Sequence, residues 1–228
     1  MTIKKDDAIN HIQADFESLA NLVLEQLDQM EGVITTGKIS VSEDVVKKIL
    51  KNEKELDKKE VKLSDKIVNA IVLYQPMASE LRWVIACYRI LISLERIGDY
   101  VVNIINFVDK IKTPEIYDKL HEVLANMTIQ SIKMVRESLL SFLNDDREIA
   151  IWTIKNDLVF DEINKKLLKK LLSKTDTADA NKHLLMSIVT IKEMMSNIER
   201  IADHASNIAE AAIYSIDGKD IRHHKIEK

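Results

Sequence analysis

The sequence predicts an all-α protein: six long antiparallel helices forming two tandem, pseudo-symmetric three-helix bundles. Three observations carry this expectation. First, the 228 residues include only 4 Gly and 2 Pro, while 31% are charged and 46% hydrophobic. With aromatics at 5%, this is the composition of long amphipathic helices rather than of sheets. Second, apolar residues recur at steps of three and four over stretches of about 30 residues, the mark of a helix with one buried face. Third, the chain is written twice. Glu95-Arg96-Ile97-Gly98-Asp99-Tyr100-Val101-Val102-Asn103-Ile104 recurs 104 residues later as Glu199-Arg200-Ile201-Ala202-Asp203-His204-Ala205-Ser206-Asn207-Ile208. The same offset carries Lys51-Asn52-Glu53 with Asp57 onto Lys155-Asn156-Asp157 with Asp161.

The first helix follows the stripe Ile9, Ile12, Phe16, Leu19, Val23, Leu27, Met30 and Ile34, and Gly37 stops it. Ser40-Val41-Ser42-Glu43 reads as a capping box opening the second helix. Its stripe runs through Val45, Ile49, Leu56, Leu63, Ile67, Ala70 and Tyr74 to Gln75-Pro76, where proline suits a new first turn. A third helix continues through Met77, Leu81, Val84, Tyr88, Leu91, Val102 and Ile105.

Thr113-Pro114 punctuates the middle, with Thr as N-cap and Pro at the first position of helix four, about 114 to 143. Asn144-Asp145-Asp146 opens helix five, roughly 146 to 173, and the segment from Ser173 to Lys182 is the loop before helix six. Helix six spans roughly 182 to 215 and ends at Asp217-Gly218. The repeats are therefore expected at 1–112 and 113–217, followed by a charged tail at 218–228. His223 and His224 in that tail read as solvated. Short connections make neighbouring helices antiparallel, and the absence of a linker predicts that the two bundles pack together.

A net charge of −4 removes any broad electrostatic case for nucleic acid. The lone Cys87 has no partner for a disulfide or a thiolate metal site, and it reads as a small buried hydrophobe. Met186, Met194 and Met195 read as core filling. The N-terminus lacks the apolar stretch of a signal peptide, and no apolar run approaches the ~20 residues of a membrane span. The expected location is the cytoplasm, in soluble form. No phosphate-cradling glycine loop, nucleophile elbow or Cys/His arrangement occurs, so no catalytic site is expected.

What remains is the carboxylates. Acids four residues apart share a helix face and repel by a few tenths of a kcal/mol. With 37 acids in 228 residues, chance would scatter about six such pairs, as frequency squared times length. The pairs present are Glu53/Asp57, Glu95/Asp99, Asp118/Glu122, Asp157/Asp161 and Glu199/Asp203. A single pair is thus uninformative. The signal is that all but Asp118/Glu122 form two couples at the common offset, among matching flanking residues. Asp118/Glu122 has no counterpart and reads as an ordinary solvated pair.

Glu53, Glu60 and Glu95 also interrupt apolar seams, where an uncompensated charge is costly. Either a metal compensates them, or Lys51, Arg96, Lys155 and Arg200 do so as ion pairs at a bundle rim. An arginine adjacent to its glutamate points to another helix face, so it is expected to compensate that neighbour poorly. Asn103 and Asn207, one turn further on, complete an oxygen-rich set that suits Mg²⁺, Mn²⁺, Ca²⁺ or iron, and Zn²⁺ secondarily. No Glu-x-x-His occurs, which argues against a di-iron oxygen-activating site. His204 has Tyr100 as its counterpart and reads as a surface or supporting residue.

Two copies of Glu-Arg-Ile-Gly/Ala-Asp-x-x-x-Asn-Ile, each about 40 residues after Glu/Asp-x-x-x-Asp, resemble the PhoU family of bacterial and archaeal phosphate-uptake regulators. Gln75-Pro76-Met77-Ala78-Ser79-Glu80-Leu81-Arg82 resembles that family's entry into its third helix, and the likeness spans roughly residues 8 to 215. The resemblance implies two three-helix bundles and metal, in some members multinuclear iron or zinc. Carried over by position, the ligands would be Glu53, Asp57, Glu95 and Asp99 in the first repeat and Asp157, Asp161, Glu199 and Asp203 in the second. Asn103 and Asn207 match the motif's distal asparagine. The chain departs from the commonest pattern at Glu53, where Asp is frequent and the longer arm alters which metal fits, and at Ala202 in place of Gly.

The resemblance further implies negative regulation of phosphate uptake and starvation signalling, with a phosphate ABC transporter and a sensor histidine kinase as partners. It also implies a homodimer that meets the membrane only through those partners. A metal-dependent hydrolase or oxidase, and a metal-free helical scaffold, are the competing readings.

Overall fold

The computed structural model describes residues 2–157 and 182–222. Within them are six helices and no strand: α1 (Thr2–Thr35), α2 (Glu43–Tyr74), α3 (Ser79–Val108), α4 (Pro114–Leu143), α5 (helical over the described residues 147–157) and α6 (Lys182–Asp217). The loop expected before helix six, most of helix five and both tail histidines lie outside the described residues.

Local chemistry accounts for the helix ends. α1 stops at Thr35, two residues before Gly37, whose φ of 69° is a left-handed turn that glycine adopts without strain. Gly218, at φ 71°, closes α6 in the same way. The cap of α2 lies two residues later than the capping box predicts. Ser42 is the N-cap, its hydroxyl accepting from the Val45 N–H, so Glu43 falls in the first turn and complements the helix dipole. Pro76 does not open α3. It lies in a tight connection where Gln75 and Ala78 both adopt positive φ, and α3 starts at Ser79. Thr113 and Pro114 occupy the expected N-cap and first position of α4, and the Ser187 hydroxyl of α6 accepts from the N–H groups of Lys112 and Thr113. Asp146 caps α5, its carboxylate accepting from Glu148 and Ile149.

The stripes read from sequence are the core. Ile12, Phe16, Leu19, Val23, Leu27, Met30 and Ile34 of α1 are buried, as are Ile49, Leu56, Leu63, Ile67 and Ala70 of α2. Cys87, Met194 and Met195 are buried as expected. Met186 is not: it is 48% exposed, on the outer side of α6's first turns. Tyr88 and Met77, assigned to the α3 stripe, are also exposed.

Among the described helix pairs, α3 and α6, the third helix of each repeat, share the most extensive contact, with α4 against α6 close behind. α6 buries Ala202, Ala205, Ala209, Ala211 and Ala212, small side chains that let helices approach closely. α1 touches α4 as well as α2 and α3, so the two bundles form one body. Glu95, Asp99, Glu199 and Asp203 are thereby carried on the two helices of this contact, and Glu53 and Asp57 on α2, which packs on α3.

Candidate metal-binding patches

The two motif copies meet across the α3–α6 contact. Tyr100 and His204, which correspond at the 104-residue offset, face each other with ring centroids 5.7 Å apart. The Arg200 guanidinium stands 5.8 Å from the Tyr100 ring centroid. Arg96, its counterpart, lies close enough to His204 to help lower the imidazole pKa, behind the larger effect of burial. An approximate two-fold axis therefore runs between Tyr100 and His204. His204 is half-buried at this axis rather than a surface residue.

In the first repeat, the acids of α2 and α3 form one electrostatic patch. Glu53 is half-buried, and burial pushes its carboxyl up to about 7, with Asp99, Asp57 and Glu95 adding to the rise and a hydrogen bond from Gln26 opposing it. Glu95 is raised in the same way, by burial first and then by Asp99, while Arg96 opposes and Glu60 and Asp57 contribute. These mutual effects require the four predicted acids, with Glu60, to lie near one another.

Arg96 behaves differently from the sequence expectation. Its Nε lies 3.4 Å from Glu95 Oε2 and its Nη1 donates to Asp99 at 3.2 Å. The adjacent arginine reaches back along the helix and pairs with both acids of its motif, since a guanidinium on three methylenes can fold over a full turn. Asn103 is exposed one turn beyond Asp99.

Glu53 differs from its neighbours. Gln26 of α1, fully buried, donates its Nε2–H to Glu53 Oε2 at 3.0 Å and to the Ile49 carbonyl at 3.4 Å. Glu53 Oε1 is buried and makes no hydrogen bond. Gly98 makes room for this arrangement: a Cβ there would lie 2.4 Å from Leu56 Cδ2 and 2.9 Å from Glu53 Oε2. Sequence reading missed Gln26. The available signal was an amide inside the apolar stripe of α1, three residues after Val23 and four before Met30.

The second repeat places Glu199 half-buried and Asp203 exposed on α6, Asp157 half-buried near the described end of α5, and Asn207 exposed. Asp161 lies outside the described residues. Among the described residues, no three His, Cys, Asp or Glu side chains converge into a ready-made ligand set. The first-repeat acids thus share a patch rather than a cage. Their donor chemistry fits a hard or borderline cation: carboxylate oxygens near enough to feel one another's charge, one of them on Glu53 buried and without a hydrogen bond, with the ionisation of Glu53 and Glu95 held back chiefly by burial.

A family model described as the PhoU domain matches this chain twice, over residues 16–108 and 124–212. The chain is 30% identical over 224 residues to a protein of Xylella fastidiosa named phosphate-specific transport system accessory protein PhoU homolog, covering 93% of this chain and 89% of that one. It is 26% identical over 212 residues to phosphate-specific transport system accessory protein PhoU homolog 1 of Thermotoga maritima, with 92% and 88% covered. The crystal structure of the phosphate transport system regulatory protein PhoU from Streptococcus pneumoniae superposes with a TM-score of 0.81 at 20% identity, over 95% of this chain and 98% of that one. Two motif-bearing repeats on paired three-helix bundles, matched twice by one family model over most of the length, place the chain in the PhoU domain family.

Proposed function

We propose that this protein is a regulatory accessory component of a phosphate transport system, that it acts by binding metal and partner proteins, and that it is not an enzyme. What carries the reading is the double family match over helices whose repeated acids form a coupled patch. In this reading the protein restrains phosphate uptake and the starvation response when phosphate is plentiful, working between a phosphate ABC transporter and a sensor histidine kinase. It functions as a cytoplasmic homodimer, bound to the membrane only through its partners. No helix among the described residues is long and apolar enough to cross a membrane.

The metal would be held in the first repeat by Glu53, Asp57, Glu95 and Asp99, with Asn103 beside them. In the second repeat Asp157, Asp161, Glu199, Asp203 and Asn207 would take those parts. Iron or zinc is the expected metal, with Mg²⁺, Mn²⁺ and Ca²⁺ as alternatives the oxygen donors accept. A bound cation supplies the positive charge that lets buried carboxylates ionise. The residues prepare for it in two ways. Burial and mutual repulsion make Glu53 and Glu95 poor free anions, and Arg96 occupies Glu95 and Asp99 as a cation that a metal would displace.

The test has two arms. Protein purified without chelator or affinity metal, then reloaded, should hold stoichiometric metal by elemental analysis. Asp57→Ala with Asp99→Ala should remove about half of it, with helicity kept by the apolar seams. Loss of all metal from a folded double variant would mean the repeats share one site. Deletion of the gene should raise phosphate uptake and switch on the starvation response in phosphate-rich medium. Unchanged uptake and response would overturn the regulatory assignment.

A further inference from the structure

Gln26 is hard to explain as a core residue. It is 0% exposed in the middle of the α1 seam, where Val23, Leu27 and Met30 line the same face. An amide buried with an unpaired atom costs on the order of 1–3 kcal/mol, and its Oε1 is buried without a hydrogen bond. A leucine or methionine would pack there at no such cost. The amide meets a charged side chain, Glu53, and lies beside Gly98, whose absent Cβ would stand 3.2 Å from Gln26 Oε1 and 2.9 Å from Glu53 Oε2.

We propose that Gln26 is a positioning residue for Glu53. By holding Oε2 at 3.0 Å, it leaves the other carboxylate oxygen, Oε1, buried and without a hydrogen bond, as the donor for a divalent cation. Hydrogen bonds behind a ligating carboxylate fix its orientation, and their removal typically costs 10–100-fold in metal affinity. The inference rests on the metal-binding reading above and deepens it. It also gives Glu53 a reason to be glutamate: the extra methylene carries the carboxylate back toward α1. In the second repeat Asp157 stands in that place, and α4 follows α1 at an offset of 108, the spacing between the starts of the two family matches, which puts buried Met134 where Gln26 stands. A methionine in that place has no N–H to give, so α4 carries no equivalent amide there.

The experiment uses the full chain stripped of metal and titrated with Mn²⁺, read as free Mn²⁺ by electron paramagnetic resonance. Gln26→Met keeps the side chain's length and removes its N–H. It should weaken one class of sites about 10–100-fold and leave the rest unchanged. Asp99→Ala in the same background should add little further loss at the second-repeat sites. Unchanged Mn²⁺ binding by folded Gln26→Met, beside normal binding by the parent, would overturn the positioning role and leave the metal reading intact. No Mn²⁺ or Zn²⁺ binding by the parent would sink both. Should Gln26→Met fail to fold, the parent decides: addition of Zn²⁺ should shift the Gln26 side-chain amide resonances in a ¹⁵N-resolved spectrum. Amide resonances that stay still while Zn²⁺ binds would refute the proposal.

Discussion

Tyr100 and His204 hold corresponding places in the two repeats and stack against each other, ring centroids 5.7 Å apart and planes inclined at 37°. Their surroundings are matched but not equivalent. Tyr100 receives the Arg200 guanidinium on its ring, whereas His204 has Arg96 nearby and a buried Nδ1 that makes no hydrogen bond. His204→Tyr would restore the symmetry, giving Arg96 an aromatic face and removing the unpaired nitrogen. A gain of about 0.5–1 kcal/mol is expected at neutral pH, measured by chemical denaturation.

The same histidine makes the fold sensitive to acid. Burial and then Arg96 hold its pKa below the ordinary value in the folded protein, so the unfolded chain binds the proton more readily. Its contribution is complete above the unfolded pKa of about 6.5 and declines as pH falls below it. Denaturation midpoints of the parent should drop between pH 7 and 5 by more than those of His204→Tyr. Parallel profiles would show that His204 binds its proton equally well in the folded and unfolded states.

Glu53 should produce the opposite slope in metal-free protein. Its carboxyl is raised to about 7 when folded, chiefly by burial, so the folded state holds a proton that the unfolded state releases from about 4.5 upward. The stability it lends below pH 4.5 is lost as pH rises through 7. With the group partly exposed, the loss is on the order of 1 kcal/mol rather than the full value of the shift. Glu53→Gln should match the parent at pH 5 and exceed it at pH 8 in the presence of chelator, measured by thermal denaturation.

Gly98 should tolerate no side chain. Alanine there places a Cβ 2.4 Å from Leu56 Cδ2 and against the Glu53 carboxylate, so overpacking should outweigh the better helix propensity. We expect Gly98→Ala to lose about 1–3 kcal/mol. Ala202, its counterpart, is already accommodated, and Ala202→Gly should cost only about 1 kcal/mol.

Cys87 is fully buried in α3, and burial pushes its thiol well above the ordinary range. It should resist thiol reagents in the native protein and react at once in denaturant. Labelling followed by intact mass measures both, and rapid native labelling would mean that α3 opens locally.

Much of this protein was determined by the sequence alone, because the deciding interactions are local. Apolar periodicity laid out the helices, Gly37 and Gly218 marked two ends through the left-handed turns they adopt, and Thr113-Pro114 marked a start. The doubled motif announced two matched bundles and the acids they carry. Even locally there were limits. Ser40 and Ser42 both satisfy cap chemistry, and only the path of the chain into α2 selects Ser42.

Tertiary structure decided what depends on residues far apart in sequence. Gln26 meets Glu53 because α1 lies beside α2, and Gly98 is required because α3 presses on Leu56. Tyr100 meets His204 because α3 and α6 pack along the axis relating the repeats. Met186 falls outside the core although its spacing resembles that of Met194, because burial depends on what packs opposite a helix as well as on the helix's own stripe. Periodicity reports which face of a helix is apolar. Which partner meets that face, and whether a buried polar atom finds another, is fixed only when the helices pack.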